Sequence, residues 1–128
     1  IKSFKLSNGA EFSTFESKGS WTDNFGNYGK NHCKGIIDKG MKNNVSLIVM
    51  CEQIDKNGYK TWALNKREGE FVVGVGANEI VDTTIPKKKL YIGTKCKFAI
   101  KYLDEMNFYK NKCKISTELA EVFERISR

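Results

Sequence analysis

The chain contains little proline, histidine and arginine, and each scarcity excludes something. Its 128 residues include one proline, Pro86, and one histidine, His32. A single proline leaves almost the whole chain free to enter hydrogen-bonded sheets or helices, and a single histidine excludes metal sites built on several imidazoles. The three arginines, Arg67, Arg125 and Arg128, offer few guanidinium forks for bidentate phosphate recognition.

Long hydrophobic runs and Cys-x-x-Cys motifs are both missing. No apolar stretch approaches the ~20 residues of a membrane-spanning helix. The cysteines form an even set without close pairs, which favours two disulfides over a zinc site and predicts an oxidising compartment, secreted or periplasmic. A start at Ile1 rather than Met agrees with removal of a signal peptide. The four cysteines are Cys33, Cys51, Cys96 and Cys113.

Two turn signals suggest how the cysteines pair. Cys33 and Cys51 are roughly symmetric about a turn near Lys42, and Cys96 and Cys113 about one at residues 104–105. Symmetry about a turn brings residues opposite each other on adjacent antiparallel strands, at a separation that a disulfide can span. We therefore predict the pairs Cys33–Cys51 and Cys96–Cys113.

The composition indicates one folded domain over residues 1–128. It is 40% hydrophobic and 12% aromatic, which argues against disorder. The net charge of +7 indicates either an acidic partner (nucleic acid, anionic lipid or acidic glycan) or lysines that only maintain solubility. The scarcity of arginine makes nucleic acid the less favoured partner. We predict no cofactor and no metal, and the sequence does not indicate the oligomeric state. Asn44 begins a glycosylation sequon, which has a meaning only in a eukaryotic source.

The order of apolar segments predicts a mostly β protein, an antiparallel barrel or sandwich of about eight strands. Asp55-Lys-Asn-Gly58 is the strongest hairpin signal. In Lys95 to Leu103 apolar residues alternate with lysines 95, 97 and 101, which predicts a half-buried strand with a basic outer face. A strand from Glu11 is expected to end at Gly19-Ser20, and separate strands are expected at residues 70–75 and 78–84.

The last segment changes period and predicts one helix, from about residue 117 to 126. Four apolar residues recur at helical spacing, and Ser116 or Thr117 is placed to cap the first turn. An amphipathic helix of this kind docks its apolar face on the sheet. The four residues are Leu119, Val122, Phe123 and Ile126.

Glycines, aromatic rings and polar residues are concentrated between Gly19 and Gly35, and this stretch contains most of the candidate ligand-binding residues. Glycines let a backbone turn or pass close to another group, and large rings can line an apolar or sugar site. The same rings can also be ordinary core and rim residues. The candidates are Trp21, Asp23, Phe25, Tyr28 and His32, with Trp62 from a later strand.

A second set of residues would serve an enzyme. His32, Glu52 and Arg67 match the general acid, general base and phosphate clamp of small secreted ribonucleases, and Asp23 is a candidate carboxylate whose pKa neighbouring rings could raise. Each has a structural interpretation too, since an Asp in Asp-Asn-Phe-Gly commonly shapes a turn and a lone histidine is commonly structural.

The order of short motifs resembles that of small secreted bacterial proteins. The motifs are Gly19-Ser-Trp-Thr-Asp-Asn-Phe-Gly26, Tyr28-Gly29, Cys33, Cys51-Glu52, Asp55-Lys-Asn-Gly58, Gly74-Val-Gly76 and Cys96-Lys-Phe98. The pattern is similar in outline to the eight-stranded barrels of the allene oxide cyclase and dirigent type. That resemblance implies a barrel with a ligand or intermediate in an apolar lumen. The chain departs from the pattern at Asp82-Thr-Thr-Ile-Pro86, where such a protein has Gly-Thr-Gly.

The function we predict from the sequence is a binding module for a small ligand or an anionic partner. The alternatives are a small secreted enzyme, either ribonuclease-like or an isomerase or cyclase acting in the lumen, and an interaction or inhibitor protein that uses its loops. An open lumen holding Asp23, His32 or Glu52 would favour a ligand or an enzyme. A lumen filled with side chains would favour an interaction protein.

Overall fold

The computed structural model describes residues 2–40, 45–69, 74–103 and 106–126. They form eight strands, one short 3₁₀ turn and one α-helix. The elements in chain order are β1 (Lys2–Lys5), β2 (Glu11–Asp23), β3 (Tyr28–Lys39), β4 (Val45–Asp55), β5 (Lys60–Gly69), β6 (Gly74–Thr83), the 3₁₀ turn (Lys88–Leu90), β7 (Lys95–Leu103), β8 (Met106–Cys113) and α1 (Thr117–Ile126).

Strands β2 to β8 close into a barrel, which confirms the mostly β fold class and distinguishes a barrel from a sandwich. Each strand pairs antiparallel with the next, and β8 returns to pair with β2. This closing pair is parallel, with Lys18 opposite Met106 and Asp23 opposite Asn111. Strand direction alternates along the seven barrel strands, so the first and last point the same way and can pair only in parallel. The barrel expected to be antiparallel is therefore mixed, with this closing pair parallel.

Strand β1 lies beside the barrel on the first part of β2. Its residues Lys2 to Lys5 pair with Thr14 to Glu11. The other part of the same β2 edge, from Lys18 to Asp23, pairs with β8. Two strands therefore share one edge of β2, and β2 is long enough to hold both.

Several expected strand limits were wrong. β2 does not end at Gly19-Ser20 but continues to Asp23, because the backbone of β8 packs directly against Gly19 and the glycine is a close contact instead of a break. The separate strand expected at residues 78–84 is the second half of β6. Residues 70–73, the turn at 104–105 and the sequon residue Asn44 lie outside the described residues.

Both predicted disulfides are confirmed. Cys33–Cys51 joins β3 to β4 with a Cα separation of 4.1 Å, and Cys96–Cys113 joins β7 to β8 with a separation of 4.3 Å. In each case the two cysteines are directly opposed in the strand register and buried on the lumen side. Each disulfide therefore links two strands that are already neighbours.

The predicted C-terminal helix α1 is confirmed, and its apolar face packs at one end of the barrel. The Ser116 hydroxyl accepts a hydrogen bond from the Leu119 amide (3.1 Å), which identifies Ser116 as the capping residue. Val122 and Phe123 are buried with Leu119, and Ile126 is half-buried against the same cluster. Within the described residues, no helix is long and apolar enough to cross a membrane.

Candidate functional site

Side chains fill the middle of the barrel lumen. The cavity there has a volume of about 20 Å³ and lies among Phe15, Val49, Phe98 and Tyr109. That volume is about one water molecule, whereas small-molecule sites commonly measure roughly 300–1,000 Å³. This cavity is therefore too small for an organic ligand.

One part of the lumen filling is polar. The Asn31 Nδ2 donates a hydrogen bond to the Asn107 Oδ1 (3.0 Å), and the Asn107 Nδ2 donates to the Ser17 Oγ (2.6 Å). Asn31 also donates to the Cys33 sulfur (3.3 Å), and it lies opposite the buried Gln53. These bonds tie β2, β3 and β8 together from inside the barrel.

A second buried network surrounds Tyr109. The Asn78 Nδ2 donates to the Tyr109 hydroxyl and to the Asn111 Oδ1, and the Tyr109 hydroxyl donates to the Asn65 Oδ1. Asn65 in turn donates to the Val49 carbonyl (3.2 Å). Burial raises the pKa of Tyr109 well above its usual range, so its hydroxyl stays protonated and donates. The network joins four strands, and its residues are packed rather than open to a ligand.

These inward asparagines were not predicted from the sequence. Asn31 and Asn111 each stand two residues before a cysteine whose side chain faces the lumen. Since side chains alternate along a strand, residues two apart share a face. The Asn-x-Cys spacing was therefore the available signal for a polar lumen.

The two tryptophans lie on opposite faces of the barrel wall. Trp21 is buried in the lumen, and its indole N–H donates to the Ile54 carbonyl (3.3 Å). Trp62 is outside, where its indole N–H donates to the Glu52 Oε2 (3.0 Å). The structure does not bring these two candidate residues together.

Asp23 organises the turn between β2 and β3. Its Oδ1 accepts hydrogen bonds from the amides of Phe25 (2.8 Å) and Asn27 (2.9 Å), and its Oδ2 accepts one from the Asn27 side chain. Burial raises the pKa of Asp23 above its usual value, and these hydrogen bonds oppose the increase. The Phe25 ring packs on Phe123 of α1, with ring centroids 5.5 Å apart. Both candidates therefore contribute to the helix-covered end.

Tyr28 begins β3 beyond this turn and is 53% exposed. The Lys56 Nζ lies 5.7 Å from its ring centroid, over the ring face. This candidate ligand-binding ring is thus on the outer surface.

His32 and Glu52 lie directly opposite each other on β3 and β4. The His32 Nε2 is 3.6 Å from the Glu16 Oε1, while the Glu52 carboxylate accepts a hydrogen bond from the Trp62 indole N–H. His32 thus lies on the outer face in contact with the Glu16 carboxylate, and the Glu52 carboxylate, in the opposite register position, is bonded to Trp62 instead. The Arg67 backbone pairs with Leu47, at a different level of the sheet, and the Arg67 side chain lies outside the described residues.

A lysine-rich surface covers the outer side of β7 and β8. Lys95, Lys97 and Lys101 are exposed on β7, as the alternation predicted, and Lys110 and Lys112 are exposed on β8. Neither strand contains an aspartate or glutamate. Within the described parts of the chain, none of these five lysines forms an ion pair. The Lys87-Lys88-Lys89 run is separate in its contacts, since Lys87 pairs with Glu118 of α1 (3.7 Å).

The centre of this surface is an open depression of about 490 Å³, here called the lysine groove. Ala77 and Ala99 supply short side chains, and Lys97 and Lys112 are directly opposed on β7 and β8, in line with Ala77 on β6. Lys110 lies opposite Ala99 in the next row. Small residues beside long cations give a concave, positively charged surface. The lining residues are Gly76, Ala77, Lys97, Phe98, Ala99, Lys110 and Lys112.

No family model, curated protein or solved structure matches this chain. Among the described residues, no group of three or more histidine, cysteine, aspartate or glutamate side chains is placed to hold a metal ion.

Proposed function

We propose that this protein is a binding module for an anionic partner, which it contacts through the outward lysines of β7 and β8. The observation that carries the proposal is five exposed lysines on two adjacent strands that contain no acidic residue. Clustered charge of one sign creates a local potential that attracts and orients an oppositely charged molecule. A sheet is a rigid support for such a surface.

The charge on other outer strands is more mixed. On β2 and β3, Glu16 lies 3.8 Å from Lys34 and 3.6 Å from His32. Lysines needed only for solubility would not have to collect on two strands that themselves contain no acidic residue. On the neighbouring strand β6, the exposed Glu79 lies opposite Lys95. The distribution of charge, more than the net charge of +7, supports a binding surface.

The outer surface is a better candidate than the lumen for this binding. A cavity of about 20 Å³ cannot enclose the small ligand that a dirigent-like barrel would hold. The two disulfides agree with a secreted or periplasmic protein, whose partner would be present in an oxidising compartment.

Two triple variants with equal charge test the proposal. Lys97→Ala/Lys110→Ala/Lys112→Ala removes the centre of the lysine surface, and Lys30→Ala/Lys60→Ala/Lys88→Ala removes exposed lysines elsewhere. Each lowers the net charge by three, from +7 to +4 (7 − 3 = 4). Fluorescence anisotropy measures binding of labelled dextran sulfate, oligonucleotide and polyglutamate at fixed ionic strength.

The first triple variant is expected to weaken binding to at least one of these polymers by about tenfold or more, and the control by much less. Salt should weaken wild-type binding, as expected for charge pairing. Equal losses in the two triple variants, or no binding to any of the polymers, would exclude the lysine surface as the site.

A ribonuclease-like hydrolase is a second candidate, and the opposition of His32 and Glu52 favours it. A histidine and a carboxylate on adjacent strands could share the acid and base roles of RNA cleavage. Incubation of RNA with wild-type protein and with His32→Ala tests this function. Cleavage that the variant abolishes would support the hydrolase, whereas intact RNA in both samples would rule it out.

A further inference from the structure

We propose that the lysine groove binds a chain of acidic polysaccharide, lying along β7 and β8. This inference rests on the proposed function and specifies the chemistry of its partner. An acidic polysaccharide presents anionic groups repeatedly along a chain, together with neutral polar surface between them. The groove offers the complementary arrangement, with several cations around a small-residue floor.

The repeat of the lysines favours a polymer over a single small anion. Lys110 and Lys112 are two residues apart on one strand, which places their Cα atoms about 7 Å apart on one face. Lys97 stands beside Lys112, and Lys101 continues the β7 series beyond the groove. One small anion would contact only part of this row, whereas an extended chain could contact all of it.

The floor of the groove gives space for the body of that chain. Ala77 and Ala99 are outward positions on β6 and β7, and their methyl side chains leave the depression of about 490 Å³. Longer side chains at these positions would fill it. The short side chains of the floor thus make the site concave. A surface that bound its partner by charge alone would not need this concave shape.

The lining also favours a polysaccharide over a nucleic acid. Proteins that bind single strands stack bases on aromatic rings, and phosphate recognition commonly uses arginine forks. The only aromatic residue that lines the lysine groove, among the described residues, is Phe98, which is 4% exposed and stacks on Tyr109 within the core. The groove lining includes lysines but no arginine. Its cations act as point charges. Phe108, an exposed ring on the outer face of β8, lies opposite Lys101 and does not line the groove.

Isothermal titration with four probes tests the polymer class. The probes are dextran sulfate, polygalacturonate, neutral dextran and a single-stranded DNA oligonucleotide, all at one ionic strength. At least one acidic polysaccharide is expected to bind about tenfold or more tightly than the oligonucleotide, and neutral dextran is expected not to bind. Tighter binding of the oligonucleotide through the same three lysines would overturn the polysaccharide inference and leave the anionic binding module standing.

A neutral substitution tests the groove itself. Ala77→Tyr fills the floor without changing the charge, and its position is exposed on a strand, where tyrosine is well tolerated. Ser46→Tyr, at an outward position on β4, is the matched control. Ala77→Tyr is expected to weaken binding of the acidic polysaccharide about fivefold or more, and Ser46→Tyr is expected to leave it unchanged.

The outcomes separate the two proposals. If the lysine triple variant weakens polysaccharide binding and Ala77→Tyr does not, the polymer binds the charged surface outside the groove and this inference fails. If the lysine triple variant behaves as its control triple variant does with every probe, the proposed function fails as well. Circular dichroism of each variant shows that a loss of binding is not a loss of fold.

Discussion

Gly19 and Asn107 are directly opposed on β2 and β8, and a β-carbon at residue 19 would lie 1.9 Å from the Asn107 carbonyl oxygen. No two such atoms can remain that close, and the nearest atom belongs to backbone. The glycine therefore permits the parallel pairing that closes the barrel.

Gly19→Ala is accordingly expected to destabilise the protein by about 1–3 kcal/mol or more, since β2 and β8 must separate to admit the methyl group. Chemical denaturation measures the free energy of unfolding. Ser20→Ala, at the next and exposed position of β2, is the control and is expected to change it little. An unchanged midpoint for Gly19→Ala would mean that the two strands are not packed this closely.

Phe123→Ala is expected to lower the free energy of unfolding by roughly 3–5 kcal/mol, because the ring is 3% exposed and its removal leaves a cavity. The ring packs between Phe25 and Tyr91, with centroid distances of 5.5 and 5.2 Å. Thermal unfolding measures the loss, and Glu121→Ala on the exposed face of α1 is the matched control. Equal melting temperatures would show that α1 does not contribute to the core.

Tyr109→Phe is expected to cost about 1–3 kcal/mol although it removes one oxygen atom. The hydroxyl donates to Asn65 and accepts from Asn78, and its loss leaves two buried amide groups without that partner. Tyr28→Phe, at an exposed tyrosine, is the control and is expected to be neutral in denaturant unfolding. A neutral Tyr109→Phe would show that the lumen network adds no stability.

Alkaline pH should also distinguish these tyrosines. Burial raises the pKa of Tyr109 in the folded state, so above pH ~10 the unfolded chain loses that proton while the folded chain retains it. The stability associated with this tyrosine is complete below pH ~10 and falls as the pH rises further. Tyr109→Phe is expected to unfold with a shallower alkaline dependence than wild type or Tyr28→Phe. Identical pH profiles would contradict burial of the hydroxyl.

Loss of either disulfide is expected to lower the free energy of unfolding by on the order of 3 kcal/mol, because each disulfide closes a loop of moderate length in the unfolded chain. The two sequence separations, 18 and 17 residues, are almost equal, so the two losses should be similar. Cys33→Ala/Cys51→Ala and Cys96→Ala/Cys113→Ala serve as controls for each other in denaturant unfolding. Peptide mapping without reduction verifies the pairs in the wild-type protein. A linkage between Cys33 and Cys96 or Cys113 would contradict the strand register.

Sequence patterns predicted the fold best where apolar and polar residues alternate in the usual way. The alternation of cysteine, phenylalanine and lysine over Lys95–Leu103 identified both the inward face and the outward lysines of β7. The pairing of β2 with β8 could not be predicted in this way, because its partners are far apart in sequence and no local pattern records them. Gly19 was interpreted as a break for the same reason, since its close neighbour comes from β8.

The two tryptophans predicted to bind a ligand were harder to place. In β5, polar residues face the lumen and larger apolar residues face outward, which reverses the usual pattern. Thr61 and Asn65 face the lumen, while Trp62 and Leu64 face outward. Hydrophobicity alone therefore suggests the opposite orientation of the strand. The orientation of Trp21 could not be predicted because β2 was expected to end before it. The alternation of side chains assigns a face only to residues within a strand. The outward positions of Lys110 and Lys112 could have been predicted from the sequence, because buried and exposed residues alternate in β8 as they do in β7.

The shared edge of β2 has a consequence for how the chain reaches this structure. β1 can join β2 early, since only a short turn at Leu6–Ala10 separates them, whereas β8 must wait until the whole meander has formed. Contacts between distant parts of a chain are slow to form because the ends of a long loop must first meet. We therefore expect the β2–β8 seam to close last and to set the folding rate. Until it closes, half of an edge strand stays available for pairing with another chain, so refolding yield should fall as protein concentration increases.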